Sequence, residues 1–280
     1  MSRQFLISQR HATRRCDVVV VGAGGTGSQF ADQFCSMATA LIELGHPGFR
    51  LVLVDPDYVS ESNIGRQRFT RADIGHPKAE VLAHRLNLFY GSDQLEIMSV
   101  VGAIEELRIQ SANVVVGCVD STASRLSIAF ALMGGENGER AAAMPDTLWL
   151  DCGNDDQRGQ VILGSHPLYD GEDRLPNVLD LHPEMLAGHL EQDDATPSCS
   201  VADALARQDW PINRQAALAA TDLLWSLFRY GKIAHHAMHF ESNPARMTPM
   251  PIDPVQWSVF GYDADVYSAE AFFATFELPF

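Results

Sequence analysis

No stretch of the sequence reaches the roughly 18 to 20 apolar residues that crossing a bilayer requires. Met1 to Arg10 also lack an apolar segment of signal-peptide length. Both absences point to a cytoplasmic protein. Cationic residues are scarce: 20 Lys and Arg stand against 36 Asp and Glu, a formal net charge of −16. A chain of that sign is repelled by nucleic acid and by anionic membrane, so neither is expected as a partner. Cys16, Cys35, Cys118, Cys152 and Cys199 lie far apart, are odd in number and never form C-x-x-C. That spacing argues against a disulfide framework and against a four-cysteine zinc site, so no zinc is expected. There is no internal repeat and no low-complexity tract.

The 280 residues, 46% of them hydrophobic, are enough to bury a sizeable core. Asp17 to Val21 is a β-branched run that reads as a fully buried strand. It stops at Gly22-Ala23-Gly24-Gly25-Thr26-Gly27. Phe30, Phe34, Met37, Ala38 and Leu41 then recur at helical spacing, with a stop near Gly45 and Pro47. Leu51 to Val54 is a second buried strand, ending at Asp55-Pro56-Asp57. Strand, glycine turn, helix, strand and acid open a nucleotide-binding α/β unit. Further on, a helix is expected over Pro77 to Leu88, strands over Gln94 to Val101 and Val114 to Val119, and a helix over Ser124 to Met133. Gly134 to Pro145 looks like a loop. Leu148 to Asp151 and Val161 to Leu163 read as two strands around a polar crossing. Ser165 to Gln192 looks loop-like, Ile212 to Phe228 is an apolar helix, and the segment from Ile233 reads as a hairpin and a tail on the main sheet. The fold class is therefore α/β, a Rossmann-like doubly wound sheet, mostly parallel, with a C-terminal antiparallel extension. Residues 1–165 form its nucleotide-binding half. Residues 166–280 complete the same domain.

Gly22, Gly24, Gly25 and Gly27 allow a tight turn whose N–H groups approach phosphate at a helix N-terminus. Alone, that turn fits any nucleotide or dinucleotide. Asp55 is placed to accept hydrogen bonds from ribose hydroxyls, or to sit in a solvated turn. Asn63, Arg66, Gln67 and Lys78 follow within a short span. Hydride transfer has no general need of cations just after the ribose acid, whereas transfer from a triphosphate does, because charge builds on the leaving pyrophosphate. Asp120 ends a strand on the ligand-binding edge, where it can hold Mg²⁺ on a triphosphate or cap the following helix.

In order, G-A-G-G-T-G, V-D-P-D-Y-V-S-E-S-N-I-G-R-Q, D-I-G-H-P-K-A-E and V-G-C-V-D-S-T-A-S-R resemble the ThiF/MoeB/ubiquitin-activating superfamily. Gly159-Gln160 is similar to a later strand opening of that family. The resemblance covers about residues 17 to 165. It implies ATP and Mg²⁺ as cofactors and adenylation of the C-terminal carboxylate of a small ubiquitin-like, β-grasp partner. It also implies a homodimer. On it, Asp55 and Asp57 lie at the ribose, Asn63, Arg66, Gln67 and Lys78 at the phosphates, and Asp120 at the metal. Thr196 to Ser200 with Gln208, Asp209 and Asn213 is similar to the ThiF-related family of the plasmid-borne PRTRC cassette. Cys199, in that segment, is a candidate to take the acyl group as a thioester, or a half-buried structural cysteine. Cys118 and Cys152, in apolar strands, read as core.

This sequence departs from the family in three ways. The zinc-binding C-x-x-C pairs are absent. The link from Gly27 to Asp55 carries extra residues around Thr39 to Gly48, predicting a longer helix or exit loop. Which of Arg10, Arg14 and Arg15, if any, reaches a dimer partner's site is left open. His235, His236 and His239 lie on a segment read as strand, where they alternate faces and pack rather than bind metal. Two other functions stay in view: a nucleotide-binding scaffold without catalysis, and an NAD(P)-dependent oxidoreductase resting on the glycine turn and Asp55 alone.

Overall fold

The computed structural model describes residues 3–104, 109, 111–134, 144, 146–187 and 208–268. Its centre is an eight-stranded sheet. Five strands run parallel: β2 (Cys16–Val21), β3 (Phe49–Val54), β4 (Leu95–Val100), β5 (Val114–Gly117) and β6 (Leu148–Asn154). Three more add antiparallel on one side: β7 (Arg158–Ser165), β9 (His235–Ser242) and β10 (Ala245–Pro251). The order is β4-β3-β2-β5-β6-β7-β9-β10. β1 (Phe5–Leu6) and β8 (Lys232–Ile233) pair separately. The mostly parallel sheet with an antiparallel extension is as the sequence pattern predicts.

Val18, Val19, Val20 and Val21 are buried, as a strand covered on both faces requires. Helix α1 is a short segment, Gln9–Thr13. Helix α2 (Gly25–Glu43) buries Phe30, Phe34, Met37, Ala38 and Leu41, the stripe read from the sequence. Residues 39–48 form the last turn of this helix and the turn after it, which is locked by His46. That ring bonds the His11 carbonyl through Nε2 (3.0 Å), accepts the Gly48 N–H at Nδ1 (3.2 Å) and stacks on Phe49. Helices α3 (Lys78–Tyr90) and α4 (Thr122–Met133) follow in the parallel half. α2 packs on the long helix α7 (Ile212–Tyr230), whose Ala216, Ala217, Ala219 and Ala220 are buried and allow close approach.

The segment expected to be loop-like after Ser165 holds two one-turn helices, α5 (Val178–Leu181) and α6 (Glu184–Ala187). The cause is a polar knot that no apolar period announces. Arg174 donates to Asp180 (2.5 Å), to the His166 and Tyr169 carbonyls and to the Tyr262 hydroxyl, and lies over the Tyr267 ring. Asn177 caps α5 through the Leu179 and Asp180 N–H groups. The tail is fastened again at α8 (Pro254–Ser258), where Trp257 Nε1 donates to His236 Nε2 (2.8 Å). His236 Nδ1 in turn bonds the Leu163 carbonyl (3.0 Å). The histidines of β9 therefore alternate, with His236 buried and His235 and His239 on the other face. Among the described residues, no helix is long and apolar enough to cross a membrane.

Burial pushes the His236 pKa down to about 4. The unfolded chain protonates this ring near the ordinary histidine value of 6.5, so between 6.5 and about 4 it binds the proton that the folded chain refuses. Stability is full above that window and is lost as pH falls through it, by up to about 3 kcal/mol. Urea unfolding at pH 7, 5.5 and 4.5 is expected to show this fall, and a shallower one in His236→Gln. Equal slopes in the two proteins would refute it.

Candidate functional site

A cavity of about 460 Å³ opens at the C-terminal ends of β2, β3, β5 and β6. It lies where strand order reverses between β2 and β5, the place where open α/β sheets bind ligands. Gly22, Gly24 and Gly25 line it. Gly22 has φ +92°, and a Cβ there would lie 2.6 Å from the Cys118 carbonyl oxygen. Gly27 is not on the cavity wall. A Cβ on it would lie 1.8 Å from the Gly22 carbonyl oxygen, so its role is to seat α2 against the turn.

Asp55 is buried at the end of β3 and lines the cavity. One carboxylate oxygen accepts the Ala23 N–H (2.5 Å) and the other the Asp57 N–H (2.8 Å), tying the glycine turn to the strand. Each oxygen keeps further acceptor capacity for a hydroxyl. Burial raises the Asp55 carboxyl above its ordinary value, opposed by the Ala23 N–H and Lys78. Lys78 begins α3 and donates to Asp57 (2.7 Å), leaving two of its three donors for a ligand. Arg66 and Gln67 line the same cavity. Gln67 Oε1 is buried without a hydrogen-bond partner among the described residues. A buried orphan acceptor beside a glycine turn fits a polar ligand with a donor to offer. Asn63 departs from the expectation: it is off the wall, and its Oδ1 accepts the Ser60 N–H (2.8 Å), capping the turn that leads to Arg66.

Asp120 is exposed at the cavity mouth just after β5. It does not cap α4. Ser121 does, accepting the Ser124 N–H (3.0 Å). What holds Asp120 is Arg125, a residue the sequence reading passed over. Arg125 donates through Nη2 to the Val119 carbonyl (3.2 Å) and through Nη1 to the Ser121 carbonyl (3.4 Å), bracketing Asp120 on both sides. Its Nε meets both oxygens of buried Asp151 (3.1 and 3.2 Å). Burial raises the Asp151 carboxyl and the guanidinium opposes the rise.

The far wall was also missed. Asn213, at the start of α7, accepts from Thr26 (2.9 Å) and Asn154 (3.1 Å) and donates to Gln208 (2.9 Å). Trp210 donates to the Gly65 carbonyl (3.2 Å) and carries Arg214 over its ring, so α7 also fixes the loop before Arg66. Their nearest sequence signal is the Q-D-W-P-I-N run. Cys199 lies outside the described residues. Cys152 is buried, as expected of core. Cys118 is only half-buried, because β5 ends at Gly117 and leaves it at the cavity floor. Arg10 and Arg15 pair with Asp146 and Glu96 at the opposite end of the sheet, and Arg14 is exposed there.

Residues 2–135 match the ThiF family. The matched region is slightly less than half of the chain and holds the glycine turn, Asp55, Arg66, Lys78 and Asp120. The ThiF-like reading of the motifs stands on it. The solved structure of PaaA is similar to this chain at 16% identity and TM-score 0.53, over 85% of this chain and 64% of that one. E. coli MccB with MccA is similar at 14% identity and TM-score 0.56, over 91% and 66%. E. coli MccB with ATP is similar at 14% and TM-score 0.51, over 85% and 64%. At such identities the likeness is one of fold. This ThiF-like chain spans less than two thirds of the length of those proteins.

Removing Arg125 leaves Asp151 buried without its cation, which costs about 3–5 kcal/mol in comparable pairs. Arg125→Ala is expected to lose stability on that scale in urea unfolding. Arg125→Met with Asp151→Leu should recover most of it. A double variant as unstable as the single one would show that the ion pair is not the cause.

Proposed function

We propose that this chain uses ATP to adenylate a carboxylate, forming an acyl adenylate and releasing pyrophosphate. One observation carries the reading: a single cavity at the sheet's reversal point gathers the glycine turn, Asp55, Arg66, Lys78 and Asp120. The turn and the N-terminus of α2 supply N–H groups for phosphate. Asp55 takes the ribose. The carboxylate oxygen attacks the α-phosphorus, and Arg66 and Lys78 offset the charge that builds on the departing pyrophosphate. Gln67 offers its unpartnered Oε1 as an acceptor to a hydroxyl or amino donor of the nucleotide.

Mg²⁺ fits Asp120 by the chemistry of the donor, an exposed carboxylate at the mouth of the cavity. That ion takes one or two carboxylates plus phosphate oxygens and keeps several waters. Among the described residues no three metal-binding side chains converge, which suits an ion held largely by phosphate and water. Bound there, Mg²⁺ would neutralise triphosphate charge, and the Arg125 bracket would keep the Asp120 carboxylate in place.

The proposed substrate is the C-terminus of a small protein or peptide, in keeping with MccA in the MccB structures. The finer reading, resting on the sequence motifs, is a ubiquitin-like β-grasp protein, with transfer of the acyl group to Cys199 as a thioester and a symmetric dimer. A NAD(P)-dependent reading leaves Arg66, Lys78 and Asp120 without work.

The test is ATP–pyrophosphate exchange with purified protein, Mg²⁺ and a small β-grasp protein encoded beside it. The expected result is exchange in the wild type and a loss of roughly 10²–10³-fold in Asp120→Ala. ATP binding without exchange would favour the scaffold, and binding of NADH in place of ATP would revive the oxidoreductase.

A further inference from the structure

Cys118 and Cys152 are 34 positions apart in the chain but neighbours in the sheet. The parallel pairing of β5 with β6 runs through Gly117 opposite Asp151, and each cysteine is the next residue on its own strand. Both backbones are held at that point. The Cys118 N–H still donates to the Val21 carbonyl of β2 (2.8 Å), and Cys152 pairs with Val161 of β7. Adjacent strands lie about 4.8 Å apart, inside the roughly 4.4–6.8 Å Cα separation that a disulfide spans. The two thiols lie against each other, both are free, and both line the nucleotide cavity. Cys118 is the accessible one, half-buried at the floor, and Cys152 is buried behind it. Cys16 and Cys35 are buried elsewhere and do not line the cavity.

We propose that Cys118 and Cys152 form a modification site, a dithiol at the cavity floor that a hydroperoxide closes to a disulfide, and that the closed form binds nucleotide poorly. The sulfur of Cys118 attacks the peroxide: an S–O bond forms, the O–O bond breaks, and the alkoxide leaves with the Cys118 proton as an alcohol. The sulfur of Cys152 then attacks that of Cys118: the S–S bond forms, the S–O bond breaks, and hydroxide leaves with the Cys152 proton as water. Two thiols are oxidised, and one hydroperoxide is reduced to alcohol and water. The hydrogen bond with the Cys118 thiol, and then burial, hold Cys152 well above the usual thiol range, so it resolves the adduct and does not begin the reaction.

The effect on nucleotide follows from clearance. The Gly22 turn packs directly on the Cys118 carbonyl, and a Cβ on Gly27 would lie 3.2 Å from the Cys118 β-carbon. A shift of Cys118 toward Cys152 therefore moves the floor under the turn that is to hold phosphate. This second half of the proposal rests on the nucleotide reading above, whereas formation of the bond does not.

The experiment treats the full chain with tert-butyl hydroperoxide, maps peptides without reduction, and measures ATP binding by calorimetry before and after dithiothreitol. The expected result is one linked peptide joining Cys118 to Cys152 with loss of two hydrogens. ATP affinity should fall about tenfold or more, return with dithiothreitol, and survive the oxidant in Cys152→Ser and Cys152→Ala. Linkage of Cys118 to Cys199, or Cys118 oxidised to sulfinic acid with Cys152 still free, would overturn the site. A mapped Cys118–Cys152 bond with unchanged ATP affinity would overturn the switch. A reduced protein that binds no ATP would sink the nucleotide reading while the peptide map still decides the site.

Discussion

The close contact between Gly27 and the Gly22 carbonyl is the constraint from which the rest of the site is built. No side chain fits there, so α2 starts directly on the end of β2 and its first N–H groups face the cavity. Asp55 then fastens the turn to β3 through Ala23, and Asn213 fastens it to α7 through Thr26. One backbone approach thus sets the relation of the first strand, the long helix laid on it and the helix that closes the far wall. A larger residue at position 27 would disturb all three together.

Charge is distributed with the same economy. Arg125–Asp151 and Arg174–Asp180 are buried ion pairs; the Arg125 guanidinium also donates to two backbone carbonyls, and that of Arg174 to two carbonyls and the Tyr262 hydroxyl. Ions buried with that many partners fix loops in one arrangement and add little net stability. The first fixes the strand end that carries Asp120. The second fixes the crossing that covers the antiparallel half. Lys78, at the cavity, is held more lightly, paired to an exposed carboxylate that leaves its other donors open.

Most of the fold was legible because its signals are local. Four valines, a glycine turn and a heptad-like stripe from Phe30 to Leu41 need no knowledge of what lies elsewhere in the chain. Three charged residues around the cavity were legible for the same reason: Asp55 and Asp120 follow strands and Lys78 opens a helix, while Arg66, on a turn, was legible only from its place in the motif. What escaped depends on distance. Arg125 and Asp151 meet across 26 positions, and Thr26 and Asn213 across 187, with no period linking them. Asn63 and Gly27 were read as ligand contacts because type and order fit, yet both act one step back, on the backbone that shapes the wall. Cys118 looked like core because its strand is apolar; the strand stops one residue short of it. The one-turn helices after Ser165 come from a buried arginine, which leaves no hydrophobic rhythm to read.

Trp210 gives the molecule an optical property. Trp149 and Trp257 are buried and Trp225 partly buried, while Trp210 is half-exposed, hydrogen-bonded to the residue before Arg66 and covered by a guanidinium. Its indole therefore bridges the residues before α7 and the loop that carries Arg66. Movement of that loop changes both the polarity and the quenching that this ring experiences. The Trp210 share of the protein's fluorescence is therefore sensitive to the position of the loop that carries Arg66.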